Sequence, residues 1–85
     1  MKPCFVYVIG SRGKKSKLQT YVGWTTDLQR RIAEHNSGVG ARSTRGRKWE
    51  LLYAEKYVTR REAMSREWHI KKDRRFRKSL WKSIS

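Results

Sequence analysis

Positive charge constrains this chain more than any other feature of its sequence. Lys and Arg together number 22 against 7 Asp and Glu, which gives the 85 residues a formal net charge of +15. An excess of this size resists compaction unless a polyanion is a usual partner, so the composition favours nucleic acid as that partner. Four Trp and four Tyr residues nevertheless indicate a packed core.

The length of the chain predicts a single small domain over residues 1–85, because two separate cores would each bury too little apolar surface. No run of about 18 apolar residues and no signal-peptide pattern occurs, which favours a cytoplasmic protein without a membrane partner. Cys4 is the one cysteine, so an internal disulfide and a zinc site made of thiolates are excluded. We expect its thiol to be reduced and partly buried.

The start of the chain predicts a β-hairpin. Residues 4–9 and 18–22 are β-branched and aromatic, and we expect each strand to end at the glycine that follows it, Gly10 or Gly23. The segment 11–17 between them is too long for a two-residue turn and too basic to be buried. It therefore predicts a cationic loop.

A capping box opens the first predicted helix. Thr26 and Gln29 stand three residues apart, a spacing that lets each side chain bond the other's backbone amide, and Asp27 suits the positive end of the helix dipole. The helix is predicted from Asp27 to about Asn36, where glycines stop it. The segment 41–48 that follows is polar and basic, which predicts a second cationic loop.

The second half of the chain predicts one strand and two helices. Residues 49–58 form the strand, which is apolar enough in the middle to lie deep in a small sheet. Thr59 and Glu62 form a second capping box that opens a helix over residues 60–72. A break near Asp73 precedes a last helical stretch, so the element order is ββαβαα.

Polar residues interrupt the apolar stripe of the first helix. Its core-facing arc contains an arginine and a histidine, Arg31 and His35, in line with Leu28 and Ile32. The structural explanation is an arginine that reaches solvent from the edge of the stripe and a hydrogen-bonded core histidine. The functional explanation is that both residues belong to a site.

The second helix repeats this anomaly with a carboxylate. Glu67 shares one narrow face with Ala63 and Ile70, so it needs a cation. That cation is either Arg66, Lys71 or a distant arginine in a structural ion pair, or a hard divalent metal such as Mg²⁺. Such a metal takes one or two protein carboxylates and completes its shell with water and phosphate oxygens. With only 7 acidic residues, a two-metal carboxylate cluster is not expected.

Tyr7 and Tyr21 lie one in each predicted hairpin strand, where ordinary sheet aromatics are the structural explanation. Gly23 permits a close approach to the backbone. Two phenols, an arginine, a histidine and one carboxylate on a basic chain form a set suited to phosphodiester hydrolysis. That reaction needs an activated water and groups that neutralise the charge of the phosphorane.

These five residues occur in a recognisable order. They are Tyr7 in Phe5-Val6-Tyr7, Tyr21 in Tyr21-Val22-Gly23, Arg31 and His35 ten and fourteen residues after Tyr21, and Glu67 in the second helix. This arrangement resembles the GIY-YIG nuclease superfamily, most closely its small standalone bacterial members related to the nuclease domains of structure-specific resolving enzymes. The resemblance covers nearly the whole chain, and it implies an α+β fold with a three-stranded antiparallel sheet flanked by about three helices.

The resemblance also implies a role for each residue. Tyr7 matches the family's first tyrosine, which helps to activate or orient the attacking water, and Tyr21 matches the second, which lines the scissile phosphate. Arg31 matches the arginine that stabilises the transition state. His35 matches a histidine that assists proton transfer or positioning, and Glu67 matches the single metal-binding glutamate. The implied activity is a phosphodiesterase that uses one Mg²⁺ or Mn²⁺ ion.

Three functions compete at this point. The leading hypothesis is a divalent-metal-dependent endonuclease acting on DNA, with branches, flaps and other distorted structures as candidate substrates. The alternatives are a non-catalytic DNA- or RNA-binding module of the same fold and a small ribosome-associated or RNA-organising protein. Since no residues remain for a separate DNA-binding module, we assign targeting to the domain itself or to a protein partner, and we expect a monomer or a weak dimer.

Two clusters of cations are the expected phosphate contacts, although the alternative is a solvated surface that only keeps the protein soluble. Such contacts carry no sequence information, so no recognition sequence follows from them. The clusters are Arg42, Arg45, Arg47 and Lys48 in the second loop, and Lys71, Lys72, Arg74, Arg75, Arg77 and Lys78 near the C-terminus.

Overall fold

A computed structural model describes residues 2–12 and 18–84 of the protein. Within these residues the element order is ββαβαα, as the sequence predicts, and no helix is long and apolar enough to cross a membrane. Apart from Ser11 and Arg12, the predicted cationic loop of the hairpin lies outside the described residues. The elements are β1 (Cys4–Arg12), β2 (Leu18–Thr25), α1 (Leu28–Ser37), β3 (Glu50–Tyr57), α2 (Arg60–Lys72) and α3 (Arg74–Ile84), with a short 3-10 helix (Arg42–Thr44) between α1 and β3.

The three strands form one antiparallel sheet in the order β2-β1-β3. The prediction that the third strand lies deep in the sheet is therefore wrong, because β3 is an edge strand and β1 is central. The physical reason is that β1 is buried on both faces from Val6 to Ile9, whereas β3 carries Glu55 and the exposed Lys56.

Both hairpin strands extend two residues beyond the glycines that were expected to end them. Each glycine instead marks a place where a side chain crosses close to the backbone. A Cβ atom at Gly10 would lie 2.5 Å from the ring of Trp81, and a Cβ atom at Gly23 would lie 2.5 Å from the hydroxyl of Tyr7. The glycines are therefore required inside the sheet rather than at its ends.

The alternation of side chains along β1 gives the sheet two differently covered faces. Val6 and Val8 belong to a core shared with α2 and α3. Tyr7 and Ile9 belong to a second cluster, against which the α1 residue Ile32 packs. The apolar stripe of α1 therefore faces Tyr7. Its two polar residues, Arg31 and His35, lie on the same side of the sheet.

Side-chain hydrogen bonds cap the N-termini of α1 and α2, and the structure corrects one of the two predicted N-cap residues. At α1 the N-cap is Asp27, whose Oδ1 accepts from the amide three residues later at 3.2 Å, and not Thr26. The hydroxyl of Thr25 accepts from the Asp27 amide at 3.1 Å, so the chain turns one residue later than predicted. At α2 the predicted cap is confirmed, since Oγ1 of Thr59 accepts from the Glu62 amide at 3.2 Å.

Candidate active site

The hairpin places two tyrosines on the face of the sheet that α1 covers. The ring centroids of Tyr7 and Tyr21 lie 6.5 Å apart. The register sets Tyr7 opposite Gly23, where the missing side chain makes room for the phenol. His35 of α1 completes the group, with its ring centroid 5.8 Å from that of Tyr7 and 4.9 Å from that of Tyr21. The structure thus brings three of the five predicted residues into mutual contact.

A chain of hydrogen bonds defines where the protons of this group lie. The Thr44 hydroxyl donates to the carbonyl of Ala41 at 2.8 Å, so its oxygen accepts the bond from His35 Nδ1–H at 2.9 Å. With that proton on Nδ1, Nε2 of a neutral His35 accepts from the Tyr7 hydroxyl at 2.8 Å. His35 is therefore a base directed at the Tyr7 phenol.

Burial controls the protonation of this pair, because both side chains are almost completely removed from solvent. Burial raises the pKa of Tyr7 to about 12; the nearby Arg31 opposes this shift, and the charges of Tyr21 and Glu67 add to it. Burial and then the positive charge of Arg31 hold the pKa of His35 below 6.5. At neutral pH the pair is a protonated phenol beside a neutral imidazole.

The buried neutral state of His35 leads us to expect a pH-dependent stability. The unfolded chain binds a proton at this histidine near pH 6.5 and the folded protein resists it, so the free energy of unfolding should fall as the pH drops below about 6.5. His35→Gln should reduce that slope in urea unfolding measured at a series of pH values. His69→Gln is the matched control, because His69 lies on the exposed surface of α2. An unchanged slope in the His35 variant would contradict this account.

Two residues that support His35 were not identified from the sequence. Thr44 is fully buried on the short 3-10 helix, where its carbonyl accepts from the indole of Trp49 at 2.8 Å. Gly40 passes so close that a Cβ atom there would lie 2.9 Å from Cα of His35. Both lie in a polar, glycine-containing stretch whose composition does not indicate which hydroxyl points inward.

Arg31 lies one turn before His35, at the edge of the same stripe. Its side chain is 32% exposed, and Nη1 donates to Oε1 of Glu34 at 3.2 Å. Its charge also acts on the Tyr7 phenol, whose pKa it lowers. Arg31 therefore combines a position beside Tyr7 with access to a ligand in solvent.

Arg66, one of the expected partners of Glu67, is bound elsewhere. Its guanidinium donates to both carboxylate oxygens of Glu55, from Nε at 2.9 Å and from Nη2 at 3.1 Å. The hydroxyls of Tyr53 and Tyr57 donate to the same carboxylate. This fully bonded group ties β3 to α2, so Arg66 has a structural role.

Glu67 remains available to a metal. Its side chain is 21% exposed, and Nζ of Lys71 lies 3.6 Å from Oε1. Its negative charge is the smallest of the effects that raise the pKa of Tyr7. Among the described residues no group of three or more His, Cys, Asp or Glu side chains could hold a metal ion. A single, partly exposed carboxylate nevertheless fits a hard divalent ion that keeps most of its water.

The predicted phosphate contacts occupy two surfaces. The loop cations lie on either side of Thr44 in the sequence, whereas Arg74 and Lys78 of α3 line a groove of about 440 Å³ beside β2. Arg77 forms hydrogen bonds within the protein, since it donates to the Thr20 hydroxyl at 3.1 Å and to the Lys71 carbonyl at 3.0 Å. The exposed members are Arg42, Arg45, Lys48, Lys71, Lys72, Arg74, Arg75 and Lys78, and the half-buried members are Arg47 and Arg77.

Comparison with known proteins agrees with the resemblance seen in the sequence. The family model for the GIY-YIG catalytic domain matches residues 3–80, so the chain belongs to the GIY-YIG family, a family of nuclease domains. Its relatives are UPF0213 proteins. One from Clostridium perfringens is 44% identical over 69 residues, which cover 80% of this chain and 70% of the relative.

Two further UPF0213 proteins, one of them with a solved structure, are also similar to this chain. A UPF0213 protein of Bacillus subtilis is 45% identical over 62 residues, which cover 72% of this chain and 63% of the relative. The match therefore spans less than two thirds of that protein's length. The solution NMR structure of a UPF0213 protein from Bacillus halodurans is 34% identical, covers 98% of this chain and 85% of that one, and superposes with a TM-score of 0.48.

Proposed function

We propose that this protein is a divalent-metal-dependent endonuclease that hydrolyses DNA phosphodiester bonds. The observation that carries the proposal is the bond between the Tyr7 hydroxyl and His35 Nε2, with Thr44 holding the imidazole proton on the opposite nitrogen. A neutral base oriented towards a phenol is an arrangement for moving a proton. Arg31 and Glu67 act electrostatically on the same phenol, which adds a cation and a candidate metal ligand.

The Tyr7–His35 pair can take the proton of the attacking water. As the water attacks phosphorus, its proton passes to the Tyr7 oxygen while the phenol proton passes to Nε2 of His35. No free phenolate forms on this path, which matters because the pKa of Tyr7 is raised to about 12. The neutral state of His35 at pH 7 is the state that can accept the proton.

Arg31 and Tyr21 are assigned to the phosphoryl group. A guanidinium can form two parallel bonds to phosphoryl oxygens, and these strengthen as negative charge builds in the transition state. Tyr21 stands beside the pair, with its ring 4.9 Å from the imidazole of His35, where it can line the scissile phosphate.

Glu67 is the residue we assign to hold Mg²⁺ or Mn²⁺. The ion would neutralise charge on the phosphoryl oxygens and the leaving oxygen. Without it, the ammonium of Lys71 at 3.6 Å balances the carboxylate. One such site per chain would cut one strand.

The proposal is tested by a nicking assay on supercoiled, branched and single-stranded DNA, with Mg²⁺ or Mn²⁺ against a chelator. We expect nicks that require the metal, and Glu67→Gln protein purified in the same way controls for a contaminating nuclease. Tight binding of all three DNAs without nicks under either metal would reject the endonuclease and leave the binding module of the same fold. Stronger binding of matched RNA at equal salt would favour an RNA partner.

If the exposed cations contact phosphates, the affinity for DNA should fall as the salt concentration rises. If five or six of them contact phosphates at once, the slope of log affinity against log salt should be roughly −5 on duplex DNA. Replacing Arg74 and Arg75 with Ala should flatten it by up to about 2 units, while the single-turnover rate at saturating enzyme stays the same. Arg77→Ala is the contrasting variant, because Arg77 is bonded within the fold and should lower stability instead. Equal slopes in the double variant and the parent would assign the α3 cations to solubility.

A further inference from the structure

An exposed apolar strip lies on α2 directly beside Glu67. Met64 and Trp68 are 48% and 54% exposed, although both are large apolar side chains. Their spacing places them on the helix face that also carries Glu67 and Lys71, at positions i, i+3, i+4 and i+7. The strip is therefore continuous with the candidate metal ligand.

The ring of Trp68 contacts a lysine and a histidine. Nζ of Lys72 lies 3.9 Å from the ring centroid, and the ring of His69 meets it edge-on with centroids 5.1 Å apart. Lys71 and Arg75 are exposed nearby in sequence at the end of α2 and the start of α3. An apolar helix of another protein would have to bury these charges, whereas a polyanion is complementary to them.

An aromatic ring beside cations is the combination that proteins use to hold unpaired nucleotides. The ring stacks on a base, which every base permits because each has a π-face, and the cations contact the backbone phosphates. A base inside a regular duplex is already stacked on its neighbours, so leaving that stack costs a few kcal/mol except where the base is mismatched, damaged or already single-stranded.

We propose that Trp68 is a stacking platform for an unpaired base of the nucleic acid, adjacent to the phosphate that is cut beside Glu67. Lys72 moves from the ring to the phosphate of that nucleotide. This inference rests on the proposed function and specifies its substrate as DNA with an unpaired nucleotide next to the scissile bond, such as a flap, a branch or a gap.

Binding by a cleavage-inactive protein tests the inference separately from catalysis. The parent is the Glu67→Gln protein without metal, titrated with a short single-stranded oligonucleotide, a flap and a fully paired duplex. Adding Trp68→Ala should weaken binding to the single strand and the flap by about 5- to 100-fold, the effect of losing one stacked base. Binding to the duplex should change less than about twofold. Trp68→Tyr should restore most of the affinity, because it returns an aromatic face.

Two controls make the result specific. Val58→Ala removes another exposed apolar side chain and should change none of the three affinities. The quenching of tryptophan fluorescence on adding the single strand should be largely lost in Trp68→Phe, because Trp68 is the most exposed of the four tryptophans, Trp24 is half-buried, and Trp49 and Trp81 are buried.

Two outcomes would overturn the inference. The first is an equal loss of affinity for duplex and single strand, and the second is no loss for either in the Trp68→Ala protein. Stacking on Trp68 in a protein that never nicks DNA would support the inference and reject the proposed endonuclease, so the two failures are distinguishable.

Discussion

Glu67→Gln should lower the single-turnover rate of metal-dependent cleavage by about 10³-fold or more, while the affinity for DNA stays unchanged or rises slightly. The change removes the one carboxylate assigned to the metal, whose charge stabilisation amounts to several kcal/mol in the transition state. It also removes a negative charge from the surface that we propose to face phosphate. Cleavage is measured at saturating enzyme, and affinity by fluorescence anisotropy without metal.

The matched control for this variant is Glu50→Gln, which changes an exposed glutamate on β3. If Glu67 served only as the ionic partner of Lys71, the variant would keep its cleavage rate and lose some stability. That loss would be small, about 1 kcal/mol or less, because both side chains are partly exposed at a separation of 3.6 Å. Thermal melts without metal, compared with cleavage, separate the two roles, and full cleavage by the Glu67 variant would reject the metal assignment.

Arg31→Lys should be nearly as damaging as Arg31→Ala, with a loss of about 10²- to 10³-fold in the single-turnover rate. A lysine retains the charge but cannot form two parallel bonds to a phosphoryl group, because its ammonium is a single point charge. The affinity for uncleaved DNA should change much less than the rate. The measurement is a single-turnover time course for each variant at saturating enzyme.

Arg30→Lys provides a close control for the Arg31 variants. Arg30 is the preceding residue on α1 and pairs with the same Glu34 at 3.7 Å, but its side chain is 76% exposed, against 32% for Arg31. We expect its replacement to leave the cleavage rate unchanged. Close to full turnover by the Arg31→Lys protein would show that any positive charge suffices there. Arg31 would then be one of the cations that contact the DNA backbone phosphates.

Local patterns predicted much of the fold because the interactions behind them are local. The bounds of α2 follow from a cap in which Thr59 and Glu62 are three residues apart, and the structure has the helix over Arg60–Lys72. Helical periodicity placed His35 on the core-facing stripe of α1, where it is fully buried. The same periodicity placed Glu67 between Ala63 and Ile70.

The strands were less well predicted because their neighbours are distant in sequence. A run of apolar residues identifies a strand but does not give its place in the sheet, and β3 is an edge strand although it was expected to lie deep. Gly10 and Gly23 lie inside their strands and do not end them, because Trp81 and Tyr7 cross over them, which the sequence does not show. The predicted N-cap of α1 is wrong by one residue for a local reason, which is the hydrogen bond from the Asp27 amide to the Thr25 hydroxyl.

Residue type, short spacing and periodicity encode the order of the elements, the helix faces that carry Arg31, His35 and Glu67, and the excess of positive charge. The pairing of Arg66 with Glu55, which leaves Glu67 to Lys71, depends instead on how β3 and α2 pack together. The hydrogen bond from the Tyr7 hydroxyl to His35 Nε2 also depends on the tertiary structure, because the two residues are 28 positions apart and meet only where α1 packs on the hairpin. The hydroxyl that orients this imidazole, Thr44, lies in a loop without any periodic pattern, so its role depends on how that loop packs.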